Sequence, residues 1–126
     1  MTNEDSAIKI HVETQYLDDQ SSAPQHRHLF SYTITIVNLS DQAVTLKTRH
    51  WIITDANGKI SEVQGEGVVG ETPRIKPNEA YRYSSGTVLE TSVGVMHGKY
   101  QMVDDHGKTF DVLIAPFRLA VPGIIH

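Results

Sequence analysis

Residues 65–73, Gly65-Glu66-Gly67-Val68-Val69-Gly70-Glu71-Thr72-Pro73, contain the spacing G-x-G-x-x-G. Where such a stretch carries a strand into a helix, its amides cradle a pyrophosphate at the helix N-terminus. Here no helix is expected: Pro73 and Pro77 punctuate the following residues, and a strand pattern resumes at Tyr81. Glu66 and Glu71 would also repel a polyphosphate unless Arg49, Arg74 or Lys76 folded over it. The first reading is a tight loop or bulged edge in which glycine supplies positive φ. The second is a nest of loop amides at Gly65, Gly67 and Gly70 that binds a di- or polyphosphorylated nucleotide with help from those three cations.

The histidines come next. In an extended segment His26 and His28 would project to one face, a chelate that suits Zn²⁺, Ni²⁺ or Co²⁺. Two ligands alone make a weak site, and a solvated pair is the plainer reading. His50, between Arg49 and Trp51, reads as a partly buried residue hydrogen-bonded to backbone. No catalytic constellation emerges. Ser84 and Ser85 lack a nucleophile elbow, there is no H-E-x-x-H helix, and Glu62, Glu66 and Glu71 read as a solvated acidic rim. Trp51 reads as a core anchor, and with Val68 and Val69 it is assigned to a surface that meets a partner. No cofactor is implied.

These groups must be positioned by a chain of 126 residues, read as one domain over 1–126 with residues 1–7 frayed. A net charge of −4 disfavours a sequence-independent grip on nucleic acid. The absence of cysteine removes disulfides, thiolate metal sites and cysteine nucleophiles, and it suits a reducing cytoplasm. The polar N-terminus lacks a secretory pattern, and no apolar run approaches a membrane span. The expectation is a soluble cytoplasmic protein.

Period-two alternation marks the elements. Ile8, Ile10, Val12 and Tyr16 define a first strand, and Phe30, Tyr32, Ile34 and Ile36 a clearer second one. The polar residues 18–27 between them read as a loop and a candidate binding segment. Residues 44–54 form a third strand with both faces covered near its end, because Ile52 and Ile53 are adjacent. Asn57-Gly58 predicts a two-residue hairpin turn, echoed at residues 104–108. Val93, Val95, Tyr100 and Met102 predict a strand with a bulge at His97-Gly98, followed by one through Phe110, Val112 and Ile114. About seven strands with no 3.6-residue period give an all-β sandwich of immunoglobulin-like or fibronectin type III-like build.

With these residues laid out, the sequence closely resembles the ApaG (CorD) family. The resemblance runs through Arg49-His50-Trp51 and residues 52–58, residues 65–73, Ser85-Gly86-Thr87, residues 98–103 and Ala115-Pro116-Phe117-Arg118-Leu119. It covers nearly the whole chain and implies a fibronectin type III-like sandwich. The family's names link it to diadenosine tetraphosphate hydrolase, cobalt resistance and magnesium efflux, without an established reaction. Related domains in F-box substrate adaptors and a polymerase-delta-interacting protein imply protein recognition. The glycine motif, present here at Gly65, Gly67 and Gly70, has been suggested as a pyrophosphate site.

The resulting expectation is a non-enzymatic, protein-recognition module associated with divalent-cation homeostasis, with nucleotide binding at residues 65–70 as the alternative. Direct binding of Co²⁺ or Mg²⁺ is a weaker third. The apolar tail, residues 119–126, is expected to dock on its own sandwich or on a second subunit in a homodimer. A chain stopped after Arg118 should therefore melt earlier or lose its dimer; unchanged melting together with unchanged sedimentation would exclude both.

Overall fold

The computed structural model describes residues 7–123. Eight strands follow in order among them: β1 Ile8–Tyr16, β2 His28–Asn38, β3 Val44–Asp55, β4 Ile60–Glu66, β5 Arg74–Ile75, β6 Ala80–Leu89, β7 Val93–Asp104 and β8 Thr109–Ala120. They form two antiparallel sheets, β1-β2-β6 and β4-β3-β7-β8, and the short β5 shares one edge of β3 with β4. The all-β sandwich expected from the alternation is the observed fold. The fraying expected for residues 1–7 lies outside the described residues except at Ala7, whose carbonyl accepts the Leu39 N–H at 2.9 Å.

The core lies between β2 and the pair β3 and β7. From β2 come Phe30, Tyr32, Ile34 and Ile36, each buried, with the intervening residues less so. Opposite them sit Val44, Leu46, Trp51 and Ile53 of β3 and Met96, Tyr100 and Met102 of β7. Leu46 and Trp51 both face inward although an odd number of positions separates them. The reason is an extra residue in β3, where the register with β7 shifts between Leu46 and Thr48, leaving Lys47 exposed. The bulge changes the reading of the strand's end. His50 and Ile52 lie on a half-exposed outer face rather than a covered one.

Other expectations are corrected by backbone detail. In β7 the inward residues are Gly94, Met96, Gly98, Tyr100 and Met102, so Val93 and Val95 belong to the other face, and Val95 is exposed. The phase does not slip at Gly98. That glycine answers a close approach, because a Cβ there would stand 2.0 Å from the His50 carbonyl oxygen. The register shift lies in the β7 and β8 pairing between Met96 and Gly98, and the extra residue is on β8, at Ala115-Pro116. The turn at residues 55–59 has three residues between its pairing ends rather than two: Asp55 N–H donates to the Lys59 carbonyl, and only Gly58 has positive φ, at 82°. The Asp55 carboxylate accepts the Asn57 and Lys59 N–H groups at 2.9 and 3.0 Å, and Asp104 repeats this with His106 and Lys108. The echo is shared turn chemistry.

Residues 18–27 are pinned by two short 3-10 turns, a Ser22 and Arg27 bridge, and Ser21, whose hydroxyl donates to Leu17 and accepts from Leu29. At the opposite end of β2, Asn38 is wholly buried. Its Nδ2 donates to the Gln42 carbonyl at 2.8 Å and the Ile75 carbonyl at 2.9 Å, while its Oδ1 accepts from the Ser40 amide and hydroxyl at 2.9 and 2.6 Å. The tail docks on its own sandwich as far as it is described: Leu119 is buried, Val121 packs on the core, and Ile124, Ile125 and His126 lie outside the described residues.

Replacing Asn38 with alanine removes the side-chain donor to the buried Ile75 carbonyl, one of two donors to the Gln42 carbonyl, and the acceptor of the Ser40 amide. The expected loss is about 2–3 kcal/mol of unfolding free energy in urea titration; a change within about 0.5 kcal/mol would contradict this role.

Candidate functional site

The sandwich is closed on one side and open on the other. β1 and β8 meet along the closed side, whereas β4 and β6, each the last strand of its sheet, flank the open one. The cleft between them has two parts. One, of about 310 Å³, is lined by Tyr32, Arg49, Trp51, Tyr83, Ser85 and the residues around Val68 and Val69. Its continuation, of about 190 Å³, runs past Ile53, Ser61, Val63, Thr87 and Val88. A Lys59 and Glu90 ion pair and an Ala56 N–H to Thr91 hydroxyl bond of 3.0 Å cross the far end. Along β4 the cleft is about 20 Å long.

The wall on the β4 side is low because its inward positions are Ser61, Val63 and Gly65, paired with Ile53, Trp51 and Arg49. The lack of a side chain at Gly65 gives Arg49 its place: a Cβ there would be 2.9 Å from Nη1. That nitrogen donates to the carbonyls of Glu66 and Gly67, both at 3.0 Å. The guanidinium is therefore clamped by backbone, half-buried, and without a carboxylate in ion-pair distance among the described residues. Around it stand three buried phenols. Burial pushes Tyr83 and Tyr100 far above the usual tyrosine range and raises Tyr32 against the opposing influence of Ser85 and Arg49, so all three stay neutral. The Tyr83 and Tyr100 hydroxyls bond to each other.

The glycine stretch supplies the near end of this cleft. Gly67, with φ 60°, donates to the Lys47 carbonyl at the β3 bulge, and a Cβ there would lie 2.2 Å from the Glu71 carbonyl oxygen. Val68 and Glu71 exchange amide bonds of 2.8 and 3.0 Å, closing a two-residue turn at Val69-Gly70. Both turn residues have positive φ, 49° and 79°, which for a β-branched side chain is strained. The Gly67 amide is thus donated to β3, those of Val68 and Glu71 to each other, and the Glu66 and Gly67 carbonyls turn toward Arg49. The geometry is that of a loop at a bulged edge; within residues 65–70 the Gly67 and Val68 amides are already donated to protein carbonyls.

Several expected groupings do not form. Arg74 sits four positions along β3 from Arg49, about 13 Å away. It pairs with Asp105, which holds that carboxyl below its usual range. Lys76 lies with Arg74 at a separate opening beside Asp41, Pro77 and His106. Only Arg49 of the three cations reaches the glycine stretch. Trp51 and Val68 are 2% and 0% exposed and cannot meet a partner, whereas Val69 is 63% exposed. His26 is exposed in the left-handed conformation, φ 54°, at the end of a 3-10 turn, and His28 is buried near Tyr16. The segment is not extended, and the two imidazoles share no face. The His50 ring contacts the side chains of Glu62 at 3.2 Å and Gln64 at 3.3 Å, not backbone. Sequence reasoning missed Tyr32, Tyr83 and Ser85, although the inward alternation of β2 and β6 contains that signal.

The model of the ApaG domain family matches residues 18–104. The chain belongs to the ApaG family. A protein named ApaG from Shewanella sp. (strain MR-4) is 62% identical over 97% of both chains. An X-ray structure from a structural genomics consortium is 60% identical with a TM-score of 0.93, covering 98% of this chain and 94% of the other. A crystal structure described as the putative ApaA protein from Bordetella pertussis is 39% identical with a TM-score of 0.90, over 93% and 95% of the two chains. This ApaG domain thus shares its fold with family members across nearly its full length.

Strain at Val69 is open to measurement. Val69→Asn should stabilise the ApaG domain by about 1 kcal/mol, since asparagine tolerates positive φ. Gly67→Ala should destabilise it by more than that. Thermal melts of both variants check the pair of signs, and a stable Gly67→Ala protein would contradict the described backbone.

Proposed function

We propose that this ApaG-family chain is a single-domain, cytoplasmic, non-enzymatic binding module that recognises a protein. Its association with cobalt and magnesium homeostasis would then run through that partner. The observation that carries this reading is the pair of terminal strands beside one cleft. Folded proteins usually blunt strand edges, because unpaired backbone groups recruit another chain. Here β4 is exposed over most of its length, with Ile60 and Val63 at 63% and 41% exposure, and Val88 of β6 is 47% exposed. An extended segment added to such an edge gains main-chain hydrogen bonds, and the cleft side chains select among sequences.

The cation link is assigned to the partner because His26 and His28 are not held on a common face. The nucleotide alternative at residues 65–70 would have fewer loop amides to use, since those of Gly67 and Val68 are already donated. Calorimetry with diadenosine tetraphosphate and with ATP, with and without Mg²⁺, addresses it, and heat of binding at micromolar ligand would favour it over protein recognition.

A photo-crosslinking side chain at Val63 or Val69 should trap protein from cell extract. The same group at Leu113, on the outer face of the five-stranded sheet and 77% exposed, should not. Equal trapping from Leu113, or none from Val63 and Val69, overturns the assignment.

A further inference from the structure

Donors accumulate in the part of the cleft nearest the glycine stretch. Arg49 brings a charge that no carboxylate neutralises within ion-pair distance among the described residues. Its Nη1 is fixed by the Glu66 and Gly67 carbonyls, which sets the plane of the guanidinium before any ligand arrives. Tyr32 and Ser85 line the same space, and burial keeps the Tyr32 phenol neutral, so it can donate a hydrogen bond. Trp51 also lines it, but at 2% exposure it serves as buried floor rather than as a donor. A half-buried cation among neutral donors is offset by an anionic acceptor, most effectively by a planar carboxylate that can take two parallel N–H bonds.

We propose that this part of the cleft captures a carboxylate carried on an extended peptide, with Arg49 as its charge-bearing contact. The proposal rests on the protein-recognition reading and adds the chemistry of what is recognised. A nucleotide suits the place less well. The aromatic rings at its floor, Tyr32, Trp51 and Tyr83, are buried and leave no open face for a base to stack on. One guanidinium, with the acidic residue Glu66 at the same opening, matches a single negative charge better than a polyphosphate. A peptide, by contrast, can run from Arg49 along the continuation of the cleft, where Val63 and Val88 offer apolar contacts between two strand edges. The carboxylate can belong to an aspartate or glutamate side chain or to a chain terminus.

An array of random synthetic decapeptides, each made with a free and an amidated C-terminus, is probed with the full chain. Selected peptides are expected either to carry Asp or Glu at one fixed position, or to bind only with the free terminus; the two arms distinguish the sources. Affinity for them should fall about tenfold or more in Arg49→Gln, and similarly in Ser85→Asp, which keeps Arg49 but places a like charge beside it. Arg74→Gln, at the separate opening, should bind as the unaltered chain does. Melting curves identify any variant that fails to fold, and Ser85→Asp carries the test if Arg49→Gln does. Selection of peptides without acidic groups or terminus dependence, or binding indifferent to both cleft substitutions, overturns the carboxylate proposal while leaving protein recognition standing. Displacement of a selected peptide by micromolar inorganic pyrophosphate overturns it in favour of a phosphate ligand. Failure to select any peptide counts against protein recognition itself.

Discussion

A buried amide, Asn38, fixes how the chain passes between the sheets. A polar group with no access to water must find its partners within the protein, and Asn38 finds them in the turn after β2 and in β5. Its backbone joins in, donating to Glu79 and accepting from Asn78. The outward crossing after β2 and the return crossing before β6 are therefore tied at one residue. This holds β5 on the edge of β3, which in turn sets where the glycine stretch must end. The lie of Arg49 above Gly65 follows from that placement, so a tie at one end of the sandwich shapes the cleft on its open side.

Within that frame the glycines do different work from the one their spelling suggests. In a phosphate loop, glycines let amides converge on an external anion. Here Gly65 leaves room for a guanidinium, Gly67 permits a backbone contact too close for a Cβ, and Gly70 completes a tight turn with Val69. The polarity is reversed: the loop offers carbonyls to a cation of its own chain. What the motif shapes is a positively charged corner of a cleft, positioned by β3 and walled by β6.

The parts of this arrangement that were legible in the sequence are those with an alternating apolar signal. β2 was readable because bulky residues occupy every inward position from Phe30 to Ile36. β7 was misread because Gly94 and Gly98 occupy inward positions without any hydropathy, leaving Val93 and Val95 to suggest the wrong phase. The β3 bulge is invisible for a similar reason, since Lys47 breaks the period without any turn residue to announce it. Of the candidate site, Arg49 beside the glycine stretch and the lack of a helix after it were accessible from the charge pattern and from Pro73 and Pro77. Its grouping with Arg74 and Lys76 failed because nearness in sequence to a loop says nothing of which edge the returning strand takes. The burial of Trp51 and Val68 agreed with their apolarity, and only the assignment of both to a surface conflicted with it.

The strand order also has a kinetic side. β2 pairs with β6, so that His28 stands opposite Leu89, and β3 pairs with β7 across a comparable interval. Contacts so distant along the chain must close large loops before any burial compensates, which places such sandwiches among the slower-folding small domains. Until β6 is in place, the second wall of the cleft does not exist and β2 itself presents an edge. The newly made chain therefore passes through a period in which more strand edges are open than in the finished sandwich, exposing the same kind of backbone groups that the mature fold keeps available on one side.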